Sequence, residues 1–274
     1  MTAELRREDG MLSRFRVLAN QRNTLFLLIT RDLKIKYADS KLGYLWSVLD
    51  PLLMAGVYWF VFTQLFNRGV GREPYILFLI LGMLPWNWAQ GVLTDATRAL
   101  TADAKLVRSS NLDREVWVVR IVGAKAVEFV FSMPVIAIIA ILTGSTPSWY
   151  LLAFPLAMAI QATFLLGAAL ALAPLGVLFT DVTRVMRILL RILFYLSPII
   201  YGARDVKAKT PEWVGFIYDL NPLSGTFDLY RAAFFPRFFV GWTEVVIAAV
   251  VSLGFLALGF RIFTRLEGRA LKEL

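Results

Sequence analysis

The sequence contains no cysteine and no histidine. These absences exclude disulfide frameworks, Cys/His zinc sites, cysteine nucleophiles and histidine general bases. Charged residues are also scarce, at 18% of the 274 residues, against about 25% in soluble domains. Hydrophobic residues make up 58% of the chain. The composition therefore indicates an integral membrane protein rather than an ordinary cytosolic enzyme, a disordered chain or a coiled coil.

Phosphate-loop chemistry is absent as well, because no glycine in the chain is followed by lysine. We therefore expect no ATP hydrolysis by this polypeptide alone. The acidic residues form no obvious catalytic pair, so we expect a protein that is not an enzyme and that carries no cofactor or metal of its own.

Long apolar stretches are what the sequence does have. A helix needs about 20 mostly apolar residues to cross the hydrocarbon core. We expect an all-α integral membrane fold with six spans, at residues 46–66, 75–93, 116–142, 150–179, 188–201 and 243–263. The fifth stretch is the shortest of the six. Six spans place both termini on the same side of the membrane, and they define one transmembrane domain at 46–263.

The basic residues predict which side that is. With cytoplasmic termini (1–45 and 264–274), the inner segments and their flanks hold 22 of the 29 lysines and arginines. This bias is typical of cytoplasmic loops. It also accounts for the net charge of +9 through topology and anionic lipid headgroups, so we expect membrane lipids and not nucleic acid as partners.

Residues 14–37 mix apolar and basic side chains, but their apolar core is too short to span. The pattern predicts an amphipathic helix at the cytoplasmic interface. This helix is either a membrane anchor or, in addition, a contact for an anionic substrate headgroup. The candidates for the headgroup contact are Arg31, Lys34, Lys36 and Lys41.

Residues 95–113 predict a second amphipathic helix on the cytoplasmic side, with apolar residues at helical spacing. The segment is either a solvated connector or a docking surface for a cytoplasmic partner. The charged residues interleaved with the apolar ones are Arg98, Asp103, Lys105 and Arg108.

The outer segment 202–242 holds two apolar pieces, at 213–218 and 229–239, which are too short to span. Proline and glycine punctuate both pieces. We expect re-entrant or interfacial half-helices, because irregular backbone at membrane depth is tolerated where protein buries it.

Charged residues also occur inside the apolar stretches. Lys125 and Glu128 share a helix face at i, i+3 and can neutralise one another. Arg187 and Arg191 are explained without a function if their side chains snorkel to the cytoplasmic interface.

Aromatic residues make up 14% of the chain. Those at span ends are typical of an interfacial belt, whereas deeper ones either pack between helices or form platforms for sugar rings. Eight candidates for such a platform are Tyr58, Trp59, Phe62, Trp86, Trp88, Phe194, Tyr195 and Tyr201.

Several short motifs together resemble the membrane subunits of ABC exporters for polysaccharides, such as O-antigen, capsule, teichoic acid and cell-wall galactan. Residues 31–37 read RDLKIKY, followed by LGYLW at 42–46 and DPL at 50–52. Further matching pieces are Arg114-Glu115, Asp181-Val182, SPIIY at 197–201, LNPL at 220–223 and Tyr230-Arg231. Two departures are Leu112-Asp113 in place of Phe-Pro, and Thr180 in place of arginine.

The resemblance implies a permease of the bacterial inner membrane that forms a homodimer and binds two separate ATPase subunits, which hold ATP and Mg²⁺. Residues 95–112 would be the coupling helix, 14–37 the gate helix, and 202–242 the outer gate. The cargo would be a lipid-linked glycan that passes along the aromatic residues. A related permease for a small hydrophobic drug or peptide is the alternative.

Overall fold

The computed structural model describes residues 21–38, 42–65, 74–110, 112–209 and 211–274, and no strand occurs among them. The expected all-α fold is therefore confirmed for this part of the chain. In chain order its helices are α1 Arg22–Tyr37, α2 Trp46–Trp59, α3 Tyr75–Ala96, α4 Ala104–Ser109, α5 Arg114–Leu142, α6 Phe154–Leu178, α7 Val182–Leu196, α8 Ala203–Lys209, α9 Glu212–Asp219, α10 Pro222–Ala232 and α11 Trp242–Glu273. A π-helix, Phe60–Leu65, continues α2.

Five helical segments are long and apolar enough to cross a membrane, within the described residues. They are Val48–Leu65, Tyr75–Ala96, Arg114–Leu142, Trp149–Leu178 and Trp242–Glu273. They correspond to five of the six predicted spans, and α11 continues through most of the predicted C-terminal tail, 264–274.

The predicted fifth span, 188–201, is different in the structure. Its helix α7 begins six residues earlier and ends at Leu196, before Pro198. With 15 residues and a rise of 1.5 Å per residue, α7 is about 22 Å long, short of the roughly 30 Å hydrocarbon core. The apolar pattern does not predict the start of α7, because Arg184 and Arg187 interrupt the apolar run.

Residues 183–200 nevertheless follow α3 from one end to the other. The Thr183 hydroxyl donates to Thr97 Oγ1 at 3.2 Å, just beyond the C-terminus of α3. Phe194 meets Trp86 edge-to-face at 5.7 Å, halfway along α3. The Tyr75 hydroxyl, at the other end, donates to the Ile200 carbonyl at 2.8 Å. The first part of this segment is helical, and the last part is not.

Helix α3 is the centre of the core, because most of its residues are buried and it packs against α2, α5, α6, α7 and α10. Helices α6 and α11 form the most extensive helix pair. They approach at Gly167 and Gly259, where a Cβ on Gly259 would overlap the Gly167 carbonyl oxygen. Small residues permit such close backbone contact between membrane helices.

The second predicted amphipathic helix, 95–113, is shorter than expected. α3 ends at Ala96, residues 97–103 form turns, and only Ala104–Ser109 are helical. The expected amphipathic character is present, since Ala99, Leu100 and Val107 are buried. The prediction of one long helix was wrong, because the chain turns at residues 97–103. This turn places Asp103 beside α1 and α5, as described below.

The segment predicted to lie at the outer face, 202–242, contains α8, α9 and α10. Every residue of α10 is buried, and the helix packs against α3, α6 and α11. The first predicted apolar piece forms most of α9, and the second runs from the end of α10 into the 3₁₀ turn Pro236–Phe238. Leu229, Tyr230 and Ala232, where the second piece overlaps α10, are fully buried, so these residues belong to the protein core rather than to a span.

Candidate functional site

A cluster of four charged residues joins α1, the turn after α3, and α5. Arg120 of α5 is only 4% exposed. Its guanidinium donates hydrogen bonds to Asp103 Oδ2 at 2.5 Å and to Asp32 Oδ1 at 3.2 Å. Arg31 of α1 donates to both Asp103 carboxylate oxygens at 2.8 Å. We call Arg31, Asp32, Asp103 and Arg120 the charge cluster.

The two carboxyl groups of the charge cluster have opposite pKa shifts. Burial alone would raise the pKa of Asp103, but the hydrogen bonds and charges of Arg120 and Arg31 together lower it below its ordinary value. Burial raises the pKa of Asp32, and the nearby Arg120 and Arg31 charges only partly offset this. Asp103 is therefore the main counter-ion of the buried Arg120.

A second set of ion pairs lies one to two turns further along α5. Lys125 lies 3.7 Å from Glu128, which confirms the predicted i, i+3 pair. Lys125 also contacts Asp95 of α3 at 3.1 Å, and Lys36 of α1 contacts Glu128 at 2.8 Å. These pairs tie the end of α1 to α3 and α5.

Two adjoining clefts lie beside these ion pairs. The larger, of about 600 Å³, is lined by the charge cluster, Arg98 and the second set of ion pairs. The smaller, of about 370 Å³, shares Lys36, Lys125 and Glu128 with it. It continues to Asn87 and Trp88, near the middle of α3. The lining therefore changes from mostly charged side chains in the larger cleft to a mixture of charged, polar and aromatic side chains in the smaller one.

The predicted headgroup residues have different surroundings. Arg31 and Lys36 line the larger cleft, but both are engaged by carboxylates. Lys34 is exposed and lines neither cleft. Lys41 lies outside the described residues.

The predicted coupling residues also separate into two groups. Arg98, Lys105 and Arg108 are exposed, and Arg98 also lines the larger cleft. Asp103 instead belongs to the charge cluster, so its role is internal. Sequence reasoning missed Arg120; the one available signal was an arginine in an otherwise apolar stretch.

Five of the eight predicted aromatic residues come together between α2, α3 and α7. The Phe194 ring is central, at 6.0 Å from Tyr58, 5.7 Å from Trp86 and 5.2 Å from Tyr195. Phe62 stacks on Tyr58 at 6.4 Å. Tyr195 is 58% exposed, whereas Trp86 is buried, so this aromatic cluster reaches from the core to the surface.

The other three predicted aromatics do not join that cluster through ring contacts. Trp88 is buried and stacks on Phe129 of α5 at 5.3 Å, which makes it a packing residue as well as part of the smaller cleft wall. Trp59 is exposed on α2. The Tyr201 hydroxyl donates to the Tyr195 carbonyl at 2.5 Å, beyond the end of α7.

Arg231 of α10 is a buried residue that sequence reasoning noticed only as part of a motif. It donates to the carbonyl oxygens of Pro198 and Ile199, each at 2.5 Å, and to Phe78 O at 3.3 Å. These bonds hold the non-helical segment after α7 against α3. Two of the motifs noted in the sequence, SPIIY and Tyr-Arg, are thus in direct contact.

Comparison with known proteins gives consistent relatives. The family model of the ABC-2 type transporter matches residues 23–235. The O-antigen export system permease protein RfbA of Klebsiella pneumoniae is 29% identical over 89% of this chain and 92% of its own length. RfbA of Myxococcus xanthus is 27% identical over 92% and 96%. The polysialic acid transport protein KpsM of Escherichia coli is 23% identical over 92% and 93%. With its long apolar helices and a family match over most of its length, the chain is a multi-pass membrane protein that belongs to the ABC-2 type transporter family.

Proposed function

We propose that the protein is the permease subunit of an ABC exporter that moves a lipid-linked polysaccharide from the cytoplasmic to the outer face of the bacterial inner membrane. The observation that carries this proposal is the similarity, along nearly the whole chain, to permeases named for O-antigen export. The similarity to a polysialic acid transporter supports the same cargo class. A permease for a small hydrophobic drug or peptide is the second candidate.

The proposed topology has six crossings with both termini in the cytoplasm. The contacts of Thr183, Phe194 and Ile200 along α3 support a sixth crossing that is mostly helix, α7, with a short non-helical end at residues 197–200. The distribution of basic residues supports the orientation. Helix α10 would then be a re-entrant helix at the outer face, since it is buried without being a span.

The proposed substrate path runs along the aromatic cluster and Trp59. Tyr195 and Trp59 are exposed in the single chain, and we propose that a second copy closes the path around them. Aromatic faces stack on sugar rings without requiring one particular hydroxyl pattern, which suits a moving polymer. Of the predicted headgroup residues, Lys34 is the stronger candidate, because Arg31 is held by Asp103 and Lys36 by Glu128.

Energy would come from two separate ATPase subunits that bind ATP and Mg²⁺. The exposed face of α4, with Lys105 and Arg108, is the proposed docking surface. Reversal of both charges (Lys105→Glu with Arg108→Glu) should weaken co-purification of the ATPase at least tenfold. The matched control is Arg265→Glu, an exposed position near the C-terminus of α11. Equal recovery of the ATPase with both variants would assign docking to another surface.

The function itself is tested by co-expression with the candidate ATPase in cells that make a lipid-linked glycan. We expect glycan on the outer face only when both subunits are present and ATP is hydrolysed. ATPase-dependent extrusion of a hydrophobic dye without any glycan transfer would instead favour the drug or peptide exporter.

A further inference from the structure

Three arginines and one tyrosine form a stripe along α7. Arg184, Arg187, Arg191 and Tyr195 follow the spacing i, i+3, i+7, i+11. At 3.6 residues per turn, this spacing places all four within a sector of about 80° of the helix. All four are exposed. We call these four residues the arginine stripe.

The side of α7 next to the arginine stripe attaches the helix to the protein. Leu190 is buried, and Met186, Leu193 and Phe194 pack against the core. Among the residues that the structure describes, no carboxylate forms an ion pair with Arg184, Arg187 or Arg191. The stripe is therefore a row of three uncompensated positive charges, in contrast to the charge cluster, where carboxylates face the arginines.

The depth of the stripe decides what faces it. Thr183 lies level with the cytoplasmic end of α3, and Phe194 is level with its middle. At 1.5 Å per residue, Arg187 is about 6 Å and Arg191 about 12 Å beyond Thr183. Arg187 can therefore reach the interface by snorkelling. Arg191 lies about one helical turn from the middle of the membrane's hydrocarbon core. A guanidinium that faces lipid at this depth is unfavourable, so the surroundings of Arg191 must contain water or an anion.

We propose that the arginine stripe is a binding track for the phosphate-bearing part of the cargo, a phosphodiester or pyrophosphate group, in a water-filled path. This inference rests on the proposed function. Guanidinium groups bind phosphate oxygens in bidentate geometry. Spacings of about 4.5 and 6 Å along the axis let an anion pass from one arginine to the next. Tyr195 follows with a flat face for the attached sugar, and several weak sites favour release over trapping.

The first experiment tests whether the stripe faces water. The chain contains no cysteine, so single-cysteine variants need no background changes. Arg191→Cys and Leu189→Cys lie at nearly the same depth and are both on exposed positions, but about 160° apart around the helix. A membrane-impermeant anionic methanethiosulfonate should label Cys at position 191 at least tenfold faster than at position 189. Equal, negligible labelling of both would mean that the stripe faces lipid, which overturns the proposal.

The second experiment tests for the anion. The full-length protein in phosphatidylcholine nanodiscs should bind farnesyl pyrophosphate, and the Arg187→Gln/Arg191→Gln variant should bind it at least tenfold more weakly. Arg191→Lys should retain part of the affinity. The matched control is Arg261→Gln/Arg265→Gln, two exposed arginines of α11, and its affinity should be unchanged.

Competitors distinguish the source of the phosphate. Inorganic pyrophosphate should compete for the stripe and farnesol should not, because the contact is with phosphate oxygens. Competition by phosphatidylglycerol alone would reduce the stripe to an anchor for lipid headgroups and overturn the track. Glycan export tests the proposed function separately. Its absence with unmodified protein contradicts that function, whereas unchanged binding and export by the Arg187→Gln/Arg191→Gln variant contradict only the track.

Discussion

The guanidinium carbon of Arg231 lies 3.6 Å from the centroid of the Phe78 ring. The same side chain donates to the carbonyl oxygens of Pro198 and Ile199. Helix α7 ends at Leu196, before Pro198, so the carbonyls of the residues that follow have no helical donors, and Arg231 supplies donors to two of them from α10. One buried cation therefore connects α3, α10 and the segment that follows α7.

Replacement of Arg231 by alanine should destabilise the protein by about 3 kcal/mol, because hydrogen bonds from a charged donor are lost and buried carbonyls remain unsatisfied. Arg231→Lys should recover only part of this loss, since one ammonium cannot reach every carbonyl. Thermal unfolding in detergent measures both. Arg237→Ala, at an exposed position, is the control, and an Arg231→Ala protein as stable as that control would contradict the role assigned to Arg231.

The contact of α6 with α11 gives a second prediction. Gly259→Ala should separate these helices and cost about 2 kcal/mol or more, because the new Cβ would overlap the Gly167 carbonyl. Gly254→Ala lies on the same helix with open space around its Cβ and should leave stability unchanged or slightly raised. Yield in detergent and melting temperature are the measurements. An equal loss of stability in both variants would mean that any added side chain on α11 is destabilising, and that the close contact with Gly167 is not the cause.

Much of this fold could be predicted because its signals are local. Long apolar runs predict α2, α3, α5, α6 and α11 without any knowledge of packing. The Lys125–Glu128 pair was predictable for the same reason, as it depends only on i, i+3 spacing. Helix α7 was predicted less well, because its arginines interrupt the hydrophobic pattern that locates spans.

The charge cluster could not be predicted from local patterns. Arg120 lies 88 residues from Asp32 along the chain, and no spacing rule connects them. The same holds for Asp103, whose charge suggested a solvated surface until tertiary structure placed it beside Arg31 and Arg120. Long-range pairing of this kind depends on how the helices pack, which one sequence does not specify by periodicity alone.

Asp103 gives a prediction with a pH dependence. Its pKa in the folded protein is below the ordinary value of about 4, so its contribution to stability is complete above that value and is lost as the pH falls through the lower, folded-state pKa. Asp103→Asn should remove this part of the acid-induced destabilisation. At pH 7 the same variant should cost about 2 kcal/mol, because the buried Arg120 loses an ionised partner.

Melting temperatures between pH 3 and pH 7 test this prediction. The pKa of Asp32 is raised, so its effect on the stability has the opposite sign. As the pH falls, protonation of Asp32 is favoured in the folded state, and this stabilises the folded protein. Because the two carboxylates act in opposite directions, the effect of Asp103→Asn on the pH profile is compared with that of Asp181→Asn, a change at an exposed carboxylate. If Asp103→Asn and Asp181→Asn give the same pH profile as the unmodified protein, Asp103 does not have the assigned linkage.

The aromatic residues give the last prediction, because the structure separates two that the sequence treated alike. Trp88 is 3% exposed and stacks on Phe129, so Trp88→Ala should cost about 3–5 kcal/mol and lower the yield of folded protein. Tyr195 is 58% exposed, so Tyr195→Ala should leave yield nearly unchanged. If the exposed aromatic face guides the cargo, the same variant should reduce glycan export at least fivefold.

Both quantities must be measured on the same preparations, namely yield of the complex in detergent and glycan delivered to the outer face. Tyr195→Phe is the decisive control, since it keeps the flat ring and removes only the hydroxyl; it should retain export if stacking is the contact. Leu189→Ala, another exposed change on α7, should affect neither quantity. Normal export by Tyr195→Ala would show that Tyr195 is not part of the substrate path. A parallel fall of yield and export would show that Tyr195 is a packing residue like Trp88.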